Sequence, residues 1–176
     1  MNFFIRIVEK LARLLGYLAA VLLAVAVLVV CEMVYVRFIL DASTSWQTEF
    51  VTYTLLASTF LGAPWVLQTK GHVNVELIPL MLKTRGRYFL ALFAYGLSFT
   101  LCAVITWYGF EFWYEAYEGD WRSDTIWAPK LWKVYLSMPI GFFVISLQYL
   151  VDILKLLTGK EKPFGLSDHE NIMGAD

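Results

Sequence analysis

Cysteine, histidine and charge are all scarce in this chain, and each scarcity removes a class of function. The 176 residues hold two cysteines, Cys31 and Cys102, both inside apolar runs and with no Cys-x-x-Cys spacing. That speaks against a disulfide framework, a zinc site or a thiol redox centre, and both read as small packing residues. The two histidines, His72 and His169, lie on either side of two apolar intervals. Neither they nor any Ser or Cys offers a nucleophile with a nearby base, or the spacing of metal ligands. A glycine loop suited to phosphate is missing too. No catalytic residue, metal or cofactor is therefore expected. Charged residues make up 16% of the chain and the formal net charge is −1, without the basic balance that nucleic-acid binding requires.

What is present in quantity is apolar surface. Hydrophobic residues are 59% and aromatics 17% of the chain, and the mean hydropathy is +0.61. A soluble core of this size could not bury so much. Four intervals carry no charge at all: Leu14 to Cys31, Phe50 to Thr69, Tyr88 to Phe110 and Val134 to Val151. Each approaches the roughly 20 residues that cross about 30 Å of hydrocarbon, and Arg13, Arg37, Lys133 and Lys155 can snorkel at their ends. These intervals predict an all-α integral membrane protein with four transmembrane helices, spanning roughly 12–38, 47–69, 87–112 and 132–155. They form one membrane domain, 1–157, followed by a polar tail, 158–176. Arg6, Lys10 and Arg13 before an apolar run with Ala-Val-Ala at 24–26 also suit a signal peptide, but the run is too long for one and an uncleaved helix is expected.

Basic residues give the orientation. Ten of the 14 Lys and Arg fall in the N-terminal flank, the second connection and the tail, so both termini are expected in the cytoplasm. Trp46, Trp107, Trp113, Trp121, Trp127 and Trp132 then lie near the outer interface, where an aromatic belt is favoured. Their density between 107 and 132 leaves room for a partner surface.

A transporter acting alone places ionisable groups or broken helices near the bilayer midplane. Here Glu32, Glu49, Glu111 and Asp152 all stand just outside the charge-free intervals. Glu32 is the residue an autonomous four-helix exporter would use for proton coupling. Its place at the far end of the first interval points instead to an interfacial carboxylate.

Contact surface remains. In the second span Thr54, Ser58 and Gly62 recur every four residues, and Thr48, Thr52, Leu55, Thr59 and Gly62 form a second stripe. Small and hydroxylic residues so spaced permit close helix approach, either to a partner or within this subunit's own bundle. Pro64 frees the Phe60 carbonyl, so a kink is expected near 60–64 unless neighbouring hydroxyls absorb it.

The stretches Ser-Trp-Gln-Thr-Glu-Phe-Val-Thr-Tyr at 45–53 and Phe-Leu-Gly-Ala-Pro-Trp-Val-Leu-Gln-Thr-Lys-Gly-His-Val-Asn-Val-Glu-Leu at 60–77, with the four-helix layout, resemble the small membrane (Q-type) subunit of tripartite ATP-independent periplasmic (TRAP) transporters. In that family a tryptophan and an acidic residue open the second helix, a Gly-Ala pair lies within it, and a Gly-His-hydrophobic-x-hydrophobic-acidic motif follows. Trp46, Glu49, Gly62, Ala63, Gly71, His72, Val73, Val75 and Glu76 occupy those places. The resemblance implies a bacterial inner-membrane complex. In it a large, many-helix subunit carries organic-anion and sodium sites, a periplasmic binding protein delivers substrate, and the small subunit supports the large one and helps form the docking platform.

If 72–83 is helical, His72, Glu76, Pro79 and Lys83 share one stripe and apolar residues cover the rest, which suits an amphipathic segment at the cytoplasmic interface between helices 2 and 3, in lipid or against the partner. Gly71 would make the turn into it, and Pro79 would bend it. His72 is expected to cap or hydrogen-bond, not to bind metal. The function expected is a scaffold subunit of a sodium-coupled transporter, without a substrate site of its own. The alternatives are the Glu32 exporter and a tetraspan assembly factor.

Overall fold

Long apolar runs with few helix breakers give long helices. The structure, a computed structural model, describes residues 2–69 and 84–158. In it α1 (Asn2–Phe38), α2 (Gln47–Gln68), α3 (Thr84–Glu118), the single-turn α4 (Trp132–Tyr135) and α5 (Ser137–Leu157) follow one another. Four stretches are long and apolar enough to cross a membrane: α1, α2, α3, and α4 with α5 as one span. The protein is an all-α integral membrane protein with four such helices. The amphipathic segment expected at 72–83 and the tail beyond Thr158 lie outside the described residues.

The helix ends have local causes. Asp41 at φ 48° takes the left-handed turn that carries the chain from α1 towards α2, a conformation aspartate tolerates better than most residues. The break between α4 and α5 at Leu136 lies just before Pro139, which has no N–H to give the Tyr135 carbonyl. Pro64 stands inside α2, which continues as one helix to Gln68.

Packing follows small residues. The buried face of α1 runs through Ile5, Val8, Ala12, Gly16, Ala19 and Ala26, a three-and-four spacing that keeps one stripe against the neighbour. Against it α2 sets Ser58, whose Oγ donates to the Ala19 carbonyl at 2.9 Å. Gly62 is so close that a Cβ there would stand 3.2 Å from the Ala19 Cβ. Lower on the seam the Trp65 ring covers Gly16, where a Cβ would fall 2.6 Å from Trp65 Cγ.

The most buried span is α5. It packs on α2 on one side and α3 on the other, giving the lateral order α1, α2, α5, α3. A Cβ on Gly141 would collide with the Phe60 carbonyl, the group Pro64 leaves without its helical donor. The glycine therefore presents a Cα hydrogen to that oxygen, a contact worth about 0.5–1 kcal/mol. On the other flank Pro139 rests against Gly109.

At one end Lys155 Nζ pairs with Glu9 Oε1 at 2.8 Å, Ile5 and Val8 pack on Val151, and the Tyr88 hydroxyl donates to the Leu156 carbonyl at 3.4 Å. These contacts bring the start of α1, the start of α3 and the end of α5 to the same side. The opposite end carries the α1–α2 turn and the 119–131 connection.

Glycine substitutions separate close approach from propensity. Gly141→Ala should lower the thermal unfolding midpoint in detergent, at a cost of about 1–3 kcal/mol for overpacking against backbone. Gly96→Ala has open space around it and should be neutral or stabilising by up to about 1 kcal/mol. Equal midpoints for the two variants would remove the Gly141 contact from the account.

Candidate functional site at the hairpin end

The interior offers little chemistry. Three buried hydroxyls are satisfied within their own helices, Thr54 donating to the Phe50 carbonyl, Thr106 to Cys102 and Ser146 to Phe143, each at 2.7 Å, and buried Ser137 donates to the Val134 carbonyl just before it. Gln148, 2% exposed, is the large polar side chain most deeply enclosed in α5, and its Oε1 has no hydrogen-bond partner among the described residues. A search for charge alone passes over such an amide. Among the described residues no group of three or more His, Cys, Asp or Glu could hold a metal.

Polar and aromatic groups gather instead at the end formed by residues 39–46 and 119–131. After α3 the chain turns at Asp120, φ 42°, and again at Ala128, φ 42°. Between these turns it folds back on itself in a short hairpin. Leu131 N–H donates to the Trp121 carbonyl at 2.9 Å and Ser123 N–H to the Pro129 carbonyl at 3.2 Å, with an antiparallel bridge between Arg122 and Lys130. Asp120 clamps the base of this hairpin, pairing with Lys130 at 2.9 Å and Arg122 at 3.1 Å. Those two cations hold its carboxyl below the usual range.

Two contacts tie the hairpin to the start of α2. The Thr125 hydroxyl donates to Glu49 Oε2, and the Tyr53 hydroxyl occupies the other carboxylate oxygen at 2.6 Å. The Trp127 indole sits between Trp46, 6.2 Å away, and Phe50, 6.3 Å away. From α3 a second aromatic row adds Phe112 against Trp121 and Tyr135, and Tyr117 against Trp132. Much of this surface faces outward, with Ile126 at the hairpin tip 92% exposed.

The residues singled out by sequence thus separate. Trp46 and Glu49 belong to this end, where they anchor the hairpin. Ser58 and Gly62 face α1, Thr54 is buried and bonds within α2, and Ala63 is half-buried in α2. Gly71, His72, Val73, Val75 and Glu76 lie outside the described residues. Glu32 is exposed and accepts a hydrogen bond from Gln47 Nε2 at 3.4 Å, level with the beginning of α2. Thr125, Asp120 and Lys130 were not singled out by sequence reading. The clustering of tryptophans between 107 and 132 was the available signal.

Comparison with known proteins agrees with this architecture. Curated proteins provide no match. The family described as "Tripartite ATP-independent periplasmic transporters, DctQ component" matches residues 26–159, which takes in the end of α1, all of the later helices and the hairpin. That family is the small membrane component of a transporter whose other parts are a large membrane subunit and a periplasmic binding protein, and it is not a family of enzymes. With four membrane-crossing helices and a match over most of its length, this chain belongs to the DctQ family and is a multi-pass inner-membrane protein.

Proposed function

We propose that this chain is an accessory scaffold subunit of a sodium-coupled secondary transporter that imports organic anions, stabilising the large transport subunit and helping to form the platform on which the binding protein docks. One observation carries the reading: the apolar intervals Leu14 to Cys31, Phe50 to Thr69, Tyr88 to Phe110 and Val134 to Val151 hold no charged residue, and all lie within the spanning helices or their caps. A sodium ion or organic anion at mid-depth needs charged or polar partners, or broken helices whose ends face it. Solute sites therefore belong to the large subunit, and so does the choice of acid. The exposure of Glu32 at the level of α2's first turn supports the interfacial role over a proton-coupling one. Catalysis has no part in this function.

The hairpin end supplies the platform. Its pinned base and exposed tip suit recognition of a soluble protein, and with both termini cytoplasmic it faces the periplasm. The motif Gly71, His72, Val73, Val75 and Glu76 and the 72–83 segment are assigned to the cytoplasmic interface, in lipid or against the large subunit.

Two experiments bear on this. Reconstituted alone, the chain should give no sodium-driven uptake of any organic acid, whereas uptake should appear when the large subunit and binding protein are added. Uptake by the chain alone would refute the scaffold role. For orientation, single cysteines are placed in a background lacking Cys31 and Cys102. Ile126→Cys should react with an impermeant reagent from outside intact cells and Thr84→Cys should not. The reverse labelling would invert the topology.

A further inference from the structure

Beside the hairpin a groove of about 430 Å³ opens between α1, α2 and the start of the last span. That volume falls within the ~300–1,000 Å³ of ordinary ligand sites. Its chemistry changes along its length. At the mouth stand Lys130, Lys133 and the Trp127 indole against the Phe50 ring, with the Tyr53 ring a turn below, while Leu22 and Ala57 make the floor.

The depth follows from helix geometry. Ala57 lies ten residues beyond Gln47 in α2. Leu22 lies ten residues before Glu32, which Gln47 contacts. At 1.5 Å per residue the floor is about 15 Å below the first turn of α2. The mouth is at the beginning of two spans, where lipid phosphates reside, and the floor is in the hydrocarbon.

Charge at the mouth favours an anion. Lys130 is already held by Asp120 at 2.9 Å. Lys133 is exposed and lies 5.8 Å from the Trp132 ring centroid, and no ion pair engages it among the described residues. The nearby Glu49 carboxylate does not line the groove and is occupied by Tyr53 and Thr125.

We propose that this groove holds one anionic phospholipid, its phosphate on Lys133 with support from Lys130, and an acyl chain along Phe50, Ala57 and Leu22. A cation at headgroup depth above an apolar channel matches an amphiphile with a negative head, and Trp127 at the mouth provides the amphipathic ring favoured at that boundary. A bound lipid would fill the space between hairpin and bundle and brace the surface on which Trp46 and Trp127 meet.

Native mass spectrometry of the full-length chain in detergent tests this, with phosphatidylglycerol and phosphatidylcholine of identical acyl chains as probes. The wild type should retain one phosphatidylglycerol at about fivefold lower lipid concentration than phosphatidylcholine, the preference one lysine confers near a headgroup. Lys133→Gln, a change at an exposed side chain, should abolish that preference. Millimolar inorganic phosphate should not displace the lipid. Ala57→Trp, which fills the floor, should weaken retention of both lipids. Equal retention of the two lipids by the wild type, an unchanged preference in Lys133→Gln, or displacement by inorganic phosphate would each overturn the proposal. Lys133→Gln decides the matter even if Ala57→Trp does not fold.

Discussion

The bundle depends on backbone meeting backbone where Gly141 presses on the Phe60 carbonyl. In a bilayer the hydrophobic effect gives helices no reason to associate, since lipid tails are as apolar as leucine, and packing has to come from close contact. An unpaired carbonyl in hydrocarbon is costly. Pro64 creates one in α2, and the absence of a side chain at Gly141 lets α5 cover it. With that contact made, α5 sits between α2 and α3, and Pro139 finds Gly109 on the far side. A glycine-made close approach thus occurs on both flanks of α5, once against the Phe60 carbonyl and once against Pro139.

The α1–α2 seam solves the same problem differently. Ala12, Gly16, Ala19 and Ala26 keep α1 flat, so α2 can bring Ser58 to a carbonyl and lay Trp65 over Gly16. Ser58 and Gly62 are used inside the subunit, while Thr48, Thr52 and Thr59 of the second stripe are exposed. Large apolar side chains such as Leu14, Val21, Leu28, Phe93, Leu97 and Leu101 are consequently left on the outer faces of α1 and α3, available to lipid and to other membrane helices. Under the scaffold role proposed above, such a component holds its own fold with small residues and offers large ones outward.

Much of this was legible in the sequence because the cost of burying charge in hydrocarbon is paid residue by residue. Four charge-free intervals sufficed to count the spans, and the family resemblance resting on Trp46, Glu49, the Gly62-Ala63 pair and the motif of Gly71, His72, Val73, Val75 and Glu76 agrees with the family match over residues 26–159. The side toward which a helix turns its small residues is a different kind of information. Spacing revealed that Ser58 and Gly62 form a line, but both a partner and α1 satisfy that spacing, and only the position of Ala19 distinguishes them. The Gly141 contact joins residues 81 positions apart and left no local trace. The hairpin was hidden for a similar reason: Asp120 reaches Lys130, and Thr125 reaches Glu49 across 76 residues, so residues 107–132 read as a belt of aromatics. Gln148 escaped because an amide carries no charge.

The central claim is that the small-residue line of α2 is spent within the subunit. Cysteines at Ala19 and Gly62, in a chain lacking Cys31 and Cys102, test it most directly, because the two Cβ positions lie 3.2 Å apart, close to the ~3.5–4.5 Å of a disulfide. Mild oxidation in native membranes should join them within one chain, giving a monomer of altered, reductant-sensitive mobility. Cross-links between chains, or no disulfide at all, would place the line on an external surface and contradict the account.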